Sequence, residues 1–395
     1  MTNTQTLKGF RDFLPKNVRK RQYVIDALKK VFESYGFEPL ETPSLEYEEL
    51  LSGNYGEEGD KLMYKFKDNG DRNVALRYDQ TVPLARVVAQ YQNDLPMPFK
   101  RYQIQNVWRA ENTQKGRYRE FLQVDVDTVG SYSPLADSEI INLAMDAVSR
   151  LGFKNVTMYI NDRKIFENLE NKYISTIDKL EKIGREKVLE ELIEKGLSKE
   201  KAEQLLTKIE NSKMPESIDE IIKVFKKRGG FEVKSKPTLA RGLDYYTGSI
   251  FELAIEGLSL GSIGGGGRYD NLIGIFAGKD IPAVGFSFGF DRLIEAMEEL
   301  DLFPKSLNVN DVFVAFPSSE LQQKTLEVCQ KLRKANINAE FYLEDASLEK
   351  QLKYADKKEI PYSIIVEDNN LVFKNMIKRT QENLTLEEII KKLSV

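Results

Sequence analysis

Histidine is absent from this 395-residue chain, although a protein of ordinary composition and this length carries several. The absence excludes a Ser-His-Asp triad, zinc sites with histidine ligands and any acid or base catalyst built on an imidazole side chain. Whatever chemistry the protein performs must therefore use carboxylates, guanidinium groups, amides and bound metal ions.

Cysteine and long apolar segments are also scarce. The single cysteine, Cys329, excludes an intrachain disulfide, and it lies at helical spacing from Leu326 and Leu332, so we expect it to fill a core. No apolar stretch approaches the roughly 20 residues of a membrane-spanning helix, and residues 1–5 form neither a basic nor an apolar targeting segment. The sequence predicts no membrane partner and a cytoplasmic location.

The charge balance is slightly acidic. A formal net charge of -4 and a pI near 5.5 argue against a general nucleic-acid binder, because such domains usually carry an excess of basic residues. A nucleic-acid partner would have to be bound by local basic loops, for which residues 115–119 and the Lys-Lys-Arg run at 226–228 are candidates. Such a run is more often only a solvated face.

Residues 104–127 have the pattern of a hairpin, with an apolar strand, a polar loop rich in arginine and a second strand. Side chains alternate along a strand, so the second strand presents one polar face. This face consists of Gln123, Asp125 and Asp127. By the same rule Arg109 and Glu111 are expected to share a face of the incoming strand. The hairpin would suit a substrate that carries both a phosphate and an amino group.

Three further segments follow in order. Residues 241–248 read Arg-Gly-Leu-Asp-Tyr-Tyr-Thr-Gly, residues 264–270 read Gly-Gly-Gly-Gly-Arg-Tyr-Asp, and residues 285–293 pass from a small-residue strand into an amphipathic helix. The glycine run is expected to permit close backbone approach, because no Lys-Ser/Thr phosphate motif follows it. One such match is weak, whereas four in order are a strong signal.

Together these segments resemble the class II aminoacyl-tRNA synthetases, and among them the histidyl-tRNA synthetases. Residues 109–127 resemble motif 2 and residues 285–293 resemble motif 3. The helix predicted from about residue 19 to 35, with the strand that carries Pro43, resembles motif 1. The segments 241–248 and 265–270 resemble the two signatures of the histidine-specific family. The resemblance extends over essentially the whole chain.

The resemblance implies that ATP, with Mg²⁺, activates L-histidine as histidyl-adenylate and that the histidyl group is then transferred to histidine tRNA. Arginine suits the charge that builds on the phosphates, because a guanidinium is always charged and can bond two oxygens at once. The predicted catalytic residues are Arg241 and Arg109. The predicted ATP-binding residues are Arg109, Glu111, Arg117, Phe121 and Arg292. No protein ligand for a metal is predicted.

The predicted histidine-binding residues are Asp79, Gln80, Thr81, Arg109, Gln123, Asp127, Arg241, Tyr245, Tyr246 and Tyr269. Acceptors suit a cationic α-amino group, and tyrosine hydroxyls can donate to or accept from a neutral imidazole. Without the family, Thr81 followed by Pro83 is an ordinary helix N-cap, and any one tyrosine is an ordinary half-buried strand residue. Gln114 and Arg119, at and beyond the loop tip, are predicted to contact the acceptor end of the tRNA.

The predicted fold is α+β, with an antiparallel sheet of six or seven strands flanked by helices. The predicted catalytic domain comprises residues 1–162 and 233–301 and is interrupted by a helical insertion at 163–232. A linker at 302–310 precedes residues 311–395, where strands and helices alternate as in the α/β anticodon-binding domain of the family. Because motif 1 builds the dimer interface in class II synthetases, a homodimer is expected.

Three other interpretations fit parts of the sequence. A histidine-sensing regulatory subunit of ATP phosphoribosyltransferase resembles these synthetases, but such paralogues tend to lose the ATP-site arginines and the C-terminal domain, and both are present here. A synthetase for proline, threonine or glycine would lack the 241–246 signature, and a non-catalytic module would tolerate loss of the arginines. The absence of histidine has two interpretations. The first is compositional drift or redesign. The second is that an enzyme that supplies histidine to protein synthesis avoids this amino acid in its own chain.

Overall fold

A computed structural model describes residues 4–113, 117–225, 231–240, 246–255 and 261–394, without the side chains of 56–58, 217 and 223–225. Three predicted site residues, Gln114, Arg241 and Tyr245, lie outside these ranges. The chain forms two compact units. One extends to Phe303 apart from Leu14–Lys20, and the other comprises Leu14–Lys20 and the chain from Pro304 onward.

The strands that precede residue 304, within the described ranges, are β1 (Glu38–Pro39), β2 (Leu45–Tyr47), β3 (Lys65–Lys67), β4 (Asn73–Leu76), β5 (Phe99–Trp108), β6 (Glu120–Val129), β7 (Val156–Asp162), β8 (Phe231–Ser235), β9 (Ser249–Ile255), β10 (Ser262–Arg268) and β11 (Ala283–Phe288). They form a large sheet of order β1-β5-β6-β11-β10-β9-β7-β8 and a small sheet of order β2-β4-β3. The predicted antiparallel sheet is confirmed for its central part, from β5 to β7. The predicted number of six or seven strands was too low, because the large sheet has eight. The short strand β1 and the strand β8 lie at its two edges, and each pairs in parallel with its neighbour.

The helices that precede residue 304 are α1 (Pro15–Ser34), α2 (Glu48–Leu51), α3 (Gly56–Leu62), α4 (Thr81–Gln90), α5 (Pro134–Arg150), α6 (Asn171–Ile177), α7 (Leu180–Ile183), α8 (Arg185–Glu194), α9 (Lys199–Glu210), α10 (Glu216–Phe225), α11 (Leu272–Ala277) and α12 (Phe290–Glu299). The local sequence explains their limits. Helix α5 begins where the Ser133 side chain accepts from the Leu135 amide, with Pro134 in the first turn. Helix α1 ends before Gly36, which has a φ of 77°.

Apolar stripes on α1, α5 and α12 cover one face of the large sheet. On α1 the buried residues Val24, Leu28 and Val31 recur at intervals of three and four, as a helix with one buried face requires. They join strand residues such as Val126 and Phe286 in one hydrophobic core. The other face of the sheet is left partly open between α4, α11 and the small sheet, and the candidate site lies there.

Helices α6–α9 have a core of their own within the predicted insertion. Ile174 and Ile177 of α6 pack with Val188 and Leu192 of α8 and with Leu206 of α9. None of the helices in the described part of the chain is both long and apolar enough to cross a membrane.

The second unit contains β12 (Val312–Ala315), α13 (Gln322–Lys334), β13 (Ala339–Phe341), α14 (Leu348–Lys357), β14 (Tyr362–Val366), β15 (Leu371–Asn375), β16 (Thr380–Leu384) and α15 (Leu386–Leu393). Its sheet has the order β13-β12-β14-β15-β16. The predicted alternation of strands and helices is confirmed as far as β14, and Cys329 is buried in the core as expected. Strand β16 was missed, because it is an edge strand of mostly exposed polar residues and has no apolar alternation.

Candidate active site

The hairpin of β5 and β6 carries the polar face that the sequence predicts. The strands pair antiparallel from Phe99 opposite Val129 to Trp108 opposite Glu120. The prediction for Arg109 and Glu111 was wrong in one respect: β5 ends at Trp108, so both residues belong to the loop. The loop is closed at its base by the Arg109 amide, which donates to the Arg119 carbonyl at 2.9 Å.

A cavity of about 240 Å³ opens over this face. We call it the acidic cavity, because the carboxylates of Asp79, Asp125 and Asp127 line it. The predicted histidine-binding residues that line it are Asp79, Thr81, Arg109, Gln123, Asp127, Tyr246 and Tyr269. Gln80 is fully buried beside it, and its amide donates to the carbonyls of Gln105 at 2.9 Å and Gln123 at 3.3 Å. Gln80 therefore ties the start of α4 to the hairpin.

The structure corrects the interpretation of Thr81 as the N-cap residue of α4. The helix begins at Thr81, and the N-cap residue is Gln80, whose side chain makes no capping bond. Asp79 takes that role, since its Oδ1 accepts from the amides of Thr81 at 3.0 Å and Val82 at 3.3 Å and from the Tyr55 hydroxyl at 2.8 Å. The first turn of α4 therefore holds this carboxylate in place at the edge of the cavity.

Asp127 forms an ion pair with Arg101, a residue that the sequence did not indicate. Arg101 is fully buried, and its Nη2 lies 2.7 Å from Asp127 Oδ2. The Tyr269 hydroxyl donates to Asp127 Oδ1. Burial raises the pKa of Asp127, while Arg101 and then Tyr269 lower it, and the net shift is upward. The only sequence signal for Arg101 is a charged residue within a strand of largely buried neighbours.

Gly285 of β11 leaves the room that Asp127 occupies. The two residues are opposite each other in the sheet, and a Cβ atom on Gly285 would lie 1.9 Å from Asp127 Oδ1. A Cβ atom on Gly266 of β10 would lie 2.0 Å from the Gly285 carbonyl oxygen. The glycine run therefore permits close backbone approach, as the sequence predicts, and belongs to a strand rather than a phosphate-binding loop.

A second cavity, of about 460 Å³, adjoins the first, and we call it the arginine cavity. Every predicted ATP-binding residue lines it: Arg109, Glu111, Arg117, Phe121 and Arg292. The Arg109 guanidinium carbon lies 4.4 Å from the Tyr78 ring centroid and 5.2 Å from that of Phe121. Arg292 donates to the Ser262 carbonyl at 2.7 Å, and Arg117 lies 3.7 Å from Glu111. The cavity is therefore suited to anions.

Two arginines outside the predicted set support the wall of this cavity. Asp291, in the first turn of α12, accepts from Arg11 at 2.9 Å and from Arg21 at 2.7 Å. The Arg11 guanidinium also lies 3.2 Å from the ring centroid of Tyr118, which lines the same cavity. These contacts join the N-terminal segment, the end of the hairpin loop and α12. Arg11 lies in an irregular segment, so no periodic pattern marks it.

Four residues line both cavities: Arg109, Gln123, Tyr246 and Ser287. A ligand in the acidic cavity and an anion in the arginine cavity would therefore meet at a shared wall that carries one guanidinium group. Such a geometry would suit a reaction between the two ligands, because it would hold them close together beside a positive charge.

The remaining predicted residues lie away from these cavities or outside the described ranges. Arg119 folds back on the loop, where its Nε donates to the Glu111 carbonyl at 3.1 Å and its amide donates to the Gly9 carbonyl at 2.9 Å. Its predicted contact with tRNA stays a prediction, as do those of Gln114, Arg241 and Tyr245. In the described ranges no three acidic or cysteine side chains are grouped so that they could hold a metal ion.

Comparisons with known proteins agree with this geometry. Residues 9–293 match the histidyl-tRNA synthetase family and residues 311–395 match the anticodon-binding domain family. The histidine–tRNA ligase of Cytophaga hutchinsonii is 39% identical over 98% of this chain and 98% of its own. The crystal structure of histidyl-tRNA synthetase from Nostoc sp. PCC 7120 has a TM-score of 0.86, with 29% identity, and covers 100% of this chain and 99% of its own.

A structure from Bacillus halodurans C described as an ATP phosphoribosyltransferase regulatory subunit/histidyl-tRNA synthetase shares only the fold. Its TM-score is 0.73 at 23% identity, and it covers 90% of this chain and 97% of its own. The family match extends over most of the chain and the curated relative over nearly all of it. The chain therefore belongs to the histidyl-tRNA synthetases, a family of class II aminoacyl-tRNA ligases.

Proposed function

We propose that this protein activates L-histidine with ATP and transfers the histidyl group to the 3′ end of histidine tRNA, with release of pyrophosphate and then AMP. The observation that carries the proposal is the pair of adjoining cavities, one lined by carboxylates and one by arginines, with Arg109 in the shared wall. Family membership supplies the identity of the amino acid. A regulatory subunit that only senses histidine would have no use for the arginine cavity.

In the first step the α-carboxylate of histidine attacks the α-phosphorus of ATP. A bond forms between a carboxylate oxygen and phosphorus, and the bond from phosphorus to the oxygen that bridges to the β-phosphate breaks, so pyrophosphate leaves. The nucleophile is already ionised at neutral pH, so no general base is needed. This is consistent with a chain that contains no histidine.

The arginines would act through charge and position. Arg109 and Arg241 would flank the α-phosphate, where negative charge grows in the transition state. Arg117 and Arg292 would bind the β- and γ-phosphates, which leave together. Phe121 would stack on the adenine ring, and Glu111 would accept from its amino group. No covalent intermediate with the enzyme is needed.

The described residues do not offer Mg²⁺ a site of their own. The two carboxylates that line the arginine cavity are Glu111, which lies 3.7 Å from Arg117, and Asp291, which is bound by Arg11 and Arg21. Mg²⁺ commonly takes most of its ligands from substrate phosphates and water. We therefore propose that the ion arrives with ATP, and no step above depends on it.

The second unit would bind the anticodon. It matches the anticodon-binding domain family, yet residues 311–395 carry 13 Lys and Arg against 14 Asp and Glu. Affinity for tRNA must then come from local placement of charge rather than from a basic surface. Charging of tRNA serves protein synthesis, so we expect the protein to act in the cytoplasm.

The proposed activity predicts ATP–pyrophosphate exchange that depends on histidine. With each of the twenty amino acids in turn, the intact protein is expected to exchange labelled pyrophosphate into ATP with histidine alone. It should then attach labelled histidine to histidine tRNA. Absence of exchange with any amino acid, together with measurable histidine binding by calorimetry, would instead support a regulatory subunit. Exchange with another amino acid would contradict the assigned substrate.

We also propose that the protein is a homodimer. Leu45 and Tyr47 of β2 point to the same side of the small sheet, and Phe66 shares that side because Tyr47 and Phe66 both lie opposite Val74. The side chains of Leu45, Tyr47 and Phe66 are exposed in the single chain. An apolar group of this kind is typical of a surface that a partner covers.

Light scattering is expected to give twice the chain mass of 45.4 kDa. The double variant Leu45→Glu/Phe66→Glu should shift the protein toward the monomer mass, because each substitution places a charge in the proposed interface. Ile193→Glu, at an exposed position of α8, is the matched control and should leave the mass unchanged. A wild-type protein that stays monomeric at micromolar concentration would contradict the proposal.

A further inference from the structure

The chain that precedes α1 lies against the hairpin loop. We call residues 7–13 the N-terminal strap, and they form neither a helix nor a strand. The Arg119 amide donates to the Gly9 carbonyl at 2.9 Å, and the Arg11 guanidinium carbon lies 3.2 Å from the centroid of the Tyr118 ring. The strap is therefore positioned by specific contacts with the loop, and it can in turn determine where the loop lies.

Gly9 allows the strap to approach the loop closely. Its φ is 90°, in the left-handed region that favours glycine. A Cβ atom at this position would lie 2.7 Å from Arg119 Cγ and 2.9 Å from Thr113 Cγ2. Thr113 precedes the loop tip and Arg119 follows it, so the strap lies close to both arms of the loop.

Arg11 joins the loop to α12. Its Nη2 donates to Oδ2 of Asp291 at 2.9 Å, while its guanidinium lies over the Tyr118 ring. Tyr118 directly follows Arg117 in the chain. Asp291 directly precedes Arg292. Arg11 thus contacts the immediate neighbours of the two arginines that the proposed function assigns to the β- and γ-phosphates.

These two arginines differ in how firmly they are held. Arg292 donates to the Ser262 carbonyl at 2.7 Å. The Arg117 side chain is 55% exposed and lies 3.7 Å from Glu111, which is beyond hydrogen-bond distance. Ordering an exposed arginine when a ligand binds costs conformational entropy. A contact that already holds the adjacent Tyr118 reduces this cost, so the strap can affect the binding of an anion by Arg117.

The fold does not need Arg11 to neutralise Asp291. Arg21 donates to the other carboxylate oxygen at 2.7 Å, and its side chain is 14% exposed, against 25% for Arg11. Removal of Arg11 would therefore leave Asp291 with a cationic partner. A substitution at Arg11 should disturb the position of the loop more than the stability of the fold.

We propose that Arg11 is a positioning residue for ATP, which fixes the loop arm that carries Arg117 relative to the turn that carries Arg292 before the nucleotide binds. The inference rests on the proposed function and adds to it a residue of the N-terminal strap. In the described part of the chain Arg11 lines neither cavity, so it acts through Tyr118 and Asp291. Both of these line only the arginine cavity, and the loss of Arg11 should therefore weaken the binding of ATP and not that of histidine.

The test measures KM for ATP and KM for histidine separately, by pyrophosphate exchange. Arg11→Met removes the charge and the planar group, and it is expected to raise KM for ATP by about 5- to 10-fold with KM for histidine within about twofold of the wild type. Arg11→Lys keeps a charge for Asp291 but cannot lie flat on the Tyr118 ring, so it should recover only part of the loss. Calorimetric titration with ATP and Mg²⁺ measures the same change in affinity without exchange.

Two further variants test whether the strap is the cause. Gly9→Ala keeps Arg11 but pushes the strap away from the loop, so it should also raise KM for ATP. Lys16→Met is the control, because Lys16 lies outside the strap and forms an exposed ion pair with Glu359 at 2.8 Å. It should leave KM for ATP unchanged.

The outcomes separate this inference from the proposed function. A wild-type protein that binds ATP but catalyses no exchange with histidine would overturn the proposed function, and calorimetry with Arg11→Met would still test the role of Arg11. The inference is overturned if Arg11→Met changes the affinity for ATP by less than about twofold, or if it raises KM for both substrates equally. If Arg11→Met melts well below the wild type, Arg11→Lys and Gly9→Ala decide the question, and an unchanged affinity for ATP in both would overturn the inference.

Discussion

Replacement of Arg109 with alanine is expected to lower kcat/KM for histidine-dependent pyrophosphate exchange by about 10²- to 10³-fold. Arg109 lines both cavities, and its guanidinium lies against the rings of Tyr78 and Phe121. This packing holds the group in place before the substrates arrive. Because charge on the α-phosphate grows only as the reaction proceeds, the loss should fall mainly on kcat.

Two further variants separate charge from geometry. Arg109→Lys keeps a positive charge but cannot bond two oxygens in a fixed fork, so it should recover only a small part of the activity. Arg150→Ala is the control, because Arg150 is an exposed arginine in the last turn of α5 and lines neither cavity. It should retain the wild-type rate. Activity of Arg109→Ala within a few-fold of wild type would remove Arg109 from the reaction.

Replacement of Arg268 with methionine is expected to lower the free energy of unfolding by about 3–5 kcal/mol. Arg268 lies in the third signature segment, yet its contacts are structural. Its guanidinium pairs with the buried Asp137 of α5 and donates to the carbonyl of Ser131 at 2.8 Å. Methionine would fill much of the same space but leave the Asp137 carboxylate buried without its partner.

Chemical denaturation followed by the fluorescence of Trp108, the single tryptophan, measures this change in the unit that contains both residues. The double variant Arg268→Met/Asp137→Leu should be more stable than Arg268→Met alone, because it removes both charges. A single variant that loses less than about 1 kcal/mol would mean that solvent reaches the pair and screens it.

Much of the site could be predicted because its signals are local. Alternation along a strand is set by the backbone, so the common face of Gln123, Asp125 and Asp127 follows from their spacing alone. The arginines of the second cavity could be named because the segments that carry them resemble known motifs in order. The errors arose at the limits of elements, where β5 ends before Arg109 and α4 begins at Thr81. The end of β5 depends on the far side of the loop, where the Arg119 carbonyl accepts from the Arg109 amide, and the start of α4 depends on which nearby side chain accepts from its first amides.

Other features have no local signal. Arg11 and Asp291 are 280 residues apart in sequence, and their contact depends on where the fold places the N-terminal segment. Arg101 is buried because β6 brings Asp127 against it, whereas in sequence it is one basic residue among many. Strand β16 forms because β15 offers an unpaired edge, although its own residues are polar.

The sequence by itself determined the chemistry that this protein can use. It removed imidazole from every role, supplied arginines and carboxylates in four ordered segments, and set the period that aligns three polar side chains on one strand. Only the tertiary structure decided which of these groups are free to act. Asp79 caps a helix and Asp127 is paired with Arg101, whereas Arg109 lines both cavities. Whether a buried charge is already paired depends on contacts between distant segments, and a local pattern does not encode them.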